Sequence, residues 1–401
     1  MDYYIKQWLK HLDWAIIISL LLLAVFSTVA LFSSTYGKFN PTVPAQIIPK
    51  QILFEILGFI AMIVTAKFDY GALRKNSKWL YGISIFLLLV VFVMPRQFGA
   101  HSWIPLGIFA FQPSEFAKLT LIIAVAGYMA NIDESEIRSR GFKQMAAISA
   151  LFIVPFLLTL KEPALGQALV LFAIVYAMSI IFARRSHFTL LTLGFLLVVF
   201  GFTVLALDFP QQSTNFIENV LVKHNLLQSF QADRVVTWLN PSYDPSGAGY
   251  NVQQAQIAVG SSEVFGDGFL KGVETRAGMI PNQTTDFIFT AIAEQFGFIG
   301  SALLVLVFLI LIQRLMQIAA MSLDPFGTYL VTGIIGMFAF QIFENVGMDI
   351  YLSPATGITL PFISYGGSSL IANYIAVGLA LSVYHRSKSI FFTVSGSASI
   401  G

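Results

Sequence analysis

Apolar stretches of about 20 residues recur along the chain, each long enough at ~1.5 Å per residue to cross a hydrocarbon core of roughly 30 Å. They fall at 14–34, 50–67, 78–95, 113–131, 144–160, 164–183, 187–208, 286–313, 327–348 and 361–385. The runs are continuously apolar instead of alternating, so they predict helices and not the strands of a barrel. The expected fold is all-α: a polytopic membrane protein of about ten transmembrane helices. One long interruption, about 209–285, lies between helices 7 and 8 and holds the densest collection of polar, Gly and Pro residues. It is too long for a plain connector. Within it Phe216, Ile217, Val220, Leu221 and Leu227 predict a helix that either lies in the membrane interface or packs on the protein surface. Residues 1–394 are expected to form a single transmembrane domain, and the Ser/Gly-rich end, Ser395 to Gly401, a disordered tail.

Composition agrees with lipid as the main solvent, since 56% of the 401 residues are hydrophobic and 11% charged, a balance that no water-facing surface of this length tolerates. The chain has no cysteine, which removes disulfides and thiolate metal sites. The first apolar run shows no small-residue cleavage motif and is read as a retained helix. Basic residues assign the sides. Lys6, Lys10, Lys67, Arg74, Lys75, Lys78, Arg138, Arg140, Lys143, Arg184, Arg185, Arg314, Arg386 and Lys388 cluster with the termini. The opposite loops are longer and hold fewer, so both termini are expected in the cytoplasm and the long loop outside.

Ionisable groups inside apolar spans are costly, which makes the few present candidates for function. Glu115 and Lys118, in Gln112-Pro113-Ser114-Glu115-Phe116-Ala117-Lys118, are three apart and share a helix face. They form either an ion pair that locks helices together or the charged wall of a substrate cavity. Asp286 stands where the long loop meets the eighth apolar run. It is either a helix N-cap or a carboxylate at the water–membrane boundary, placed to take a proton from a hydroxyl of a lipid-linked substrate. Upstream, Arg234, Lys271 and Arg276 are cations suited to phosphate, or ordinary loop-bracing charges. The stretch Pro354 to Ser369 combines Gly and Pro with an apolar span, which predicts irregular backbone buried in protein or lining a cavity.

Taken in order, Trp103-Ile104 with Gln112 to Lys118, Arg234 to Pro241, Asp286-Phe287-Ile288-Phe289 with Glu294, and Gly357 to Ser369 resemble the SEDS family (shape, elongation, division and sporulation). Asn345-Val346-Gly347-Met348 and Thr356 to Phe362 look more like its RodA branch than its FtsW branch. The resemblance implies a peptidoglycan glycosyltransferase that polymerises lipid II at the outer face of the bacterial cytoplasmic membrane, beside a class B penicillin-binding protein. It implies Asp286 as the catalytic base, with Glu115, Lys118, Arg234, Trp103, Ser364 and Ser368 as substrate-binding positions. A divalent cation, Mg or Mn, is a candidate aid to the leaving group, although no ligand cluster argues for one. Membrane lipid is an expected partner and nucleic acid is not. The chain departs from the family at Ala164 and Gln167, where Asp and Thr are usual, at His101, and at Val259-Gly260-Ser261-Ser262. A second carboxylate expected outside the sixth helix is therefore missing. Two rival readings are a lipid II flippase and a non-catalytic scaffold for the penicillin-binding protein.

Overall fold

The computed structural model describes residues 13–36, 42–95, 102–105, 110–132, 134–162, 164–182, 193–194, 197, 201, 209–223, 229–240, 247 and 249–397. Six helices come first: α1 (Trp14–Thr35), α2 (Thr42–Lys67), α3 (Tyr70–Val91), α4 (Pro113–Met129), α5 (Glu134–Lys161) and α6 (Leu165–Phe182). A two-stranded antiparallel ribbon, β1 (Ile104–Pro105) and β2 (Ala110–Phe111), sits between α3 and α4. Nearly all of the expected seventh helix, 187–208, lies outside the described residues. The long connection folds into α7 (Pro210–Phe216), which continues as a π-helical turn to Val222, then α8 (Ser229–Leu239), α9 (Tyr250–Ser261) and α10 (Val273–Ala277). The chain ends with α11 (Ile288–Met321), α12 (Pro325–Asp349) and α13 (Gly367–Ser397). Among the described residues, seven helices are long and apolar enough to cross a membrane, and the protein is a multi-pass membrane protein.

Close helix packing sets the frame. A Cβ on Gly378 of α13 would lie 2.6 Å from the Met62 carbonyl of α2, and one on Gly333 of α12 would lie 2.7 Å from Ile122 of α4. Small residues at these crossings let backbones approach in the way lipid-embedded bundles require. Large apolar side chains point outward, among them Trp79 and Phe298 at 75% and 69% exposed, as expected where the surroundings are lipid. At the end away from the long connection, Asp13 pairs with Arg314 at 2.5 Å and the Tyr70 hydroxyl donates to Asp324 at 2.6 Å.

Three sequence expectations change. The last helix begins at Gly367 and not at 361, because Pro361, Phe362 at φ 63° and the Gly366-Gly367 pair hold 350–366 in an irregular path. From Ser353 to Gly366 it is buried or half-buried, as expected for the non-helical stretch from Pro354 onward. The same helix runs through Ser397, three residues into the expected tail; residues 398–401 lie outside the described ones. Finally, α11 is broken at Gly297, whose φ of 61° and ψ of −157° are not helical. The backbone groups freed by the break bond to the folded long connection, the cap: Asp267 and Gly268 amides donate to Glu294 and Gln295 carbonyls, while Phe298 and Ile299 amides donate to Glu263 and Val264 carbonyls. The helical reading of Phe216 onward holds as far as Val222, and Ile217 packs with Ala232, Val236 and Leu239. This helix is therefore in contact with α8.

Candidate active site

Asp286 sits in a turn between the cap and α11. Asn282 adopts φ 53°, and its carbonyl accepts from the amides of Thr285, Asp286 and Phe287. Three consecutive carbonyls are then fixed from outside the turn. Tyr365 N–H donates to Thr284 O at 2.9 Å, Ser364 Oγ to Thr285 O at 2.6 Å, and Asn345 Nδ2 to Asp286 O at 2.6 Å. Asn345 also donates to Ile358 O at 2.8 Å, tying α12, the irregular segment and the turn together. The N-cap of α11 is Phe287 with no side-chain cap bond, so the carboxylate of Asp286 is not consumed in capping.

Arg234 arrives from the cap. Its helix, α8, is held by Tyr351, whose hydroxyl donates to the carbonyls of Thr237 and Trp238 at 2.8 and 2.9 Å. Arg234 and Asp286 both approach Gly357. A Cβ built there would lie 2.8 Å from Arg234 Nη1 and 3.2 Å from Asp286 Oδ2, and Gly357 has φ 73°. Glycine is required here for both its left-handed backbone and its lack of a side chain. Burial pushes the Asp286 carboxyl above the ordinary carboxylate range, against the pull of the Arg234 guanidinium and the Thr285 hydroxyl. Burial likewise lowers Arg234, and Asp286 opposes this. Burial and the Arg234 guanidinium thus act on this carboxyl in opposite directions, with burial the larger, and the raised proton affinity suits a general base.

A second polar group lies between helices. Glu115 and Lys118 pair at 2.8 Å, each about 1% exposed or less. Gln167 Nε2 donates to Glu115 Oε1 at 2.8 Å and so tethers the pair. Lys118 meets a phosphate only by exchanging Glu115 for it. Ser368 accepts from Gln112 N–H and donates to Ala110 O, bracing the ribbon against α13. Ser364 is engaged by Thr285 O and by the Leu360 amide; both serines support backbone. Trp103 is half-buried beside Ser102, which donates to Glu162 O at 2.9 Å. Lys271 and Arg276 sit on the cap; His101 lies outside the described residues.

Several polar groups were not singled out from sequence. Glu344 accepts from Thr356 Oγ1 at 2.9 Å, Glu55 from Tyr374, and Asp349 is fully buried. Glu55 and Glu344 lie inside predicted spans, so the rule that flagged Glu115 was the available signal. Among the described residues no three His, Cys, Asp or Glu side chains converge as a metal set.

The architecture and motifs agree with one family. The FtsW/RodA/SpoVE family, described as "Cell cycle protein", matches residues 11–389. The chain belongs to this family. It is 36% identical over 346 residues to stage V sporulation protein E of Bacillus subtilis, covering 84% of this chain and 87% of that protein. It is 30% identical to the peptidoglycan glycosyltransferase MrdB of Escherichia coli over 95% of each. A probable peptidoglycan glycosyltransferase FtsW of Trichlorobacter lovleyi is 32% identical over 94% of this chain and 93% of its own. Relatives bearing RodA-type, FtsW and sporulation names thus lie at similar distances, and they do not separate the branches. Among solved structures, a chain of a peptidoglycan synthase complex that coordinates polymerization and crosslinking superposes with TM-score 0.73 at 26% identity, covering 94% of this chain and 98% of that one. RodA of Thermus thermophilus shares the fold with TM-score 0.62, covering 93% and 97%.

Proposed function

We propose that this SEDS protein is an inverting peptidoglycan glycosyltransferase that polymerises lipid II, with Asp286 as general base. The observation that carries the assignment is the Asp286–Arg234 pair closing over Gly357, with the Asp286 backbone pinned and its side chain free of any capping duty. The acceptor's GlcNAc 4-hydroxyl gives its proton to Asp286 as its oxygen bonds to the anomeric carbon of the donor's MurNAc. The bond from that carbon to the diphosphate breaks, and its electron pair leaves with the polyprenyl diphosphate. Attack opposite the leaving group inverts the centre. Arg234 is the cation nearest the base and offers a planar, bidentate partner to the departing diphosphate. Glu115, Lys118 and Gln167 form a charged intramembrane wall whose lysine is held in reserve by its ion pair.

Orientation follows the basic residues: cap outside, termini in the cytoplasm. A class B penicillin-binding protein is the proposed partner, with the membrane lipid around α1–α6 and α11–α13 as solvent. A divalent cation is not built into the scheme: among the described residues no three His, Cys, Asp or Glu side chains converge as a metal set, and Arg234 supplies the positive charge near Asp286. The RodA-like motifs favour a role in elongation. The test is polymerisation of lipid II by purified protein, alone and with its partner. Asp286→Ala is expected to abolish glycan strands while folding and partner binding persist. Full activity in that variant rejects the base, and lipid II scrambling in vesicles without polymerisation would favour the flippase.

A further inference from the structure

The fold brings a second acid towards Asp286. Asp349 is the last residue of α12 and is 0% exposed. Both carboxyl oxygens are enclosed, and neither makes a hydrogen bond of normal geometry. Met348, the neighbour of Asp349 on α12, packs in one cluster with Phe287, the neighbour of Asp286. One turn earlier on α12, Asn345 holds the Asp286 carbonyl, so the same helix fixes both acids relative to each other.

We propose that Asp349 is the partner acid of Asp286: the two carboxyls carry one negative charge and one proton between them, and Asp349 tunes the base as a positioning residue. Two neighbouring carboxylates, one of them fully enclosed, cannot both ionise cheaply. The surroundings decide which one keeps the charge. Asp286 lies at the N-terminal end of α11 and faces Arg234 from α8, both of which favour an anion. Asp349 ends α12, where the negative end of the helix dipole disfavours one. The remaining charged neighbour, Glu344 on α12, is turned to Thr356, and Glu294 on α11 is turned to the amides of Glu274 and Thr275. When Asp286 accepts the acceptor's proton, both acids are neutral and Arg234 alone is charged. Release of that proton to water resets the pair.

This inference rests on Asp286 as base, and its test separates the two ideas. Infrared difference spectra of the purified full-length protein at neutral pH, wild type minus Asp349→Asn, are expected to show the carbonyl stretch of an enclosed, protonated carboxyl. In polymerisation assays the wild-type rate is expected to fall on the alkaline side by up to about tenfold per pH unit, the limit for one ionisation. Asp349→Asn removes that fall and changes kcat more than KM. Asp349→Ser serves if the Asn variant does not fold. Absence of the infrared band overturns the proposal, as do superimposed pH profiles. An active Asp286→Asn variant would reject the base and leave the infrared result standing.

Discussion

Replacing Gly357 by Ala separates activity from stability at one position. Its φ of 73° is left-handed, which costs a side-chain-bearing residue about 1–2 kcal/mol. The new Cβ would stand 2.8 Å from Arg234 Nη1 and 3.2 Å from Asp286 Oδ2, so the guanidinium must retreat and the carboxylate must yield a few tenths of an ångström. Misplacement on the order of 1 Å in a preorganised site costs about 10²-fold in rate, equivalent to roughly 2.7 kcal/mol of barrier. Gly357→Ala is therefore expected to lose about 10²-fold in lipid II polymerisation while losing only about 1–2 kcal/mol of stability. Gly260→Ala in α9 is the control, since nothing lies within 4 Å of its Cβ position, and it should be neutral or slightly stabilising. Polymerisation followed on gels, beside thermal melting in detergent, gives both readings. A folded Gly357→Ala protein with wild-type rate would show that Arg234 and Asp286 do not act where they meet.

Other outcomes follow from the buried charges. Glu115→Gln and Lys118→Met, each leaving an unpaired buried charge or donor, are expected to cost about 3–5 kcal/mol singly and much less together; thermal melting of the double variant checks this. Glu162 is fully buried with no hydrogen-bond partner on either oxygen, and burial raises its carboxyl from 4.5 to about 9. The folded protein thus holds a proton there that the unfolded chain releases above 4.5. Its contribution to stability is fully present below pH 4.5 and is lost as pH rises towards 9, with the sign of linkage for a raised group. Glu162→Gln should flatten this part of the pH–melting curve, and an unchanged slope would place the proton elsewhere. Glu294→Ala removes the acceptor for the Glu274 and Thr275 amides and the Thr275 hydroxyl. Limited proteolysis should then cut the 263–279 segment faster, with the helices outside the cap unaffected.

Helix positions were legible because lipid forces long apolar runs; Asp286 stood out at the edge of such a run, and Arg234 as one of three cations in the long loop that suit phosphate. What escaped was pairing at a distance. Asn345 is 59 residues from the Asp286 carbonyl it holds, and no local pattern announces that bond. Asp349 fell one residue beyond the predicted end of its helix, where a carboxylate reads as ordinary. The N-cap reading of Asp286 was reasonable from sequence; only the fold shows Phe287 taking that place. Ser364 and Ser368 look like ligands in a Ser/Gly-rich stretch, but their hydroxyls are spent on Thr285 and Ala110 carbonyls.

The break at Gly297 explains how a water-facing cap can serve a carboxylate anchored at the membrane. A continuous helix would satisfy its own carbonyls and amides and leave the cap joined to the bundle by side chains alone. Opening α11 at Gly297 hands backbone groups of Glu294, Gln295, Phe298 and Ile299 to residues 263–268, and the lack of any lipid-borne donor makes those bonds obligatory. Glu294 then fastens α10, and Gln283, bonded to Thr275 and Thr290, carries the connection into the turn of Asp286. Cap, broken helix and the turn of Asp286 are therefore one hydrogen-bonded body on this side of the site. Arg234 enters on the other side through Tyr351. A partner that pulls on the cap would move Arg234 and Asp286 by different routes, so their separation over Gly357 is the coordinate through which such a partner would set the rate.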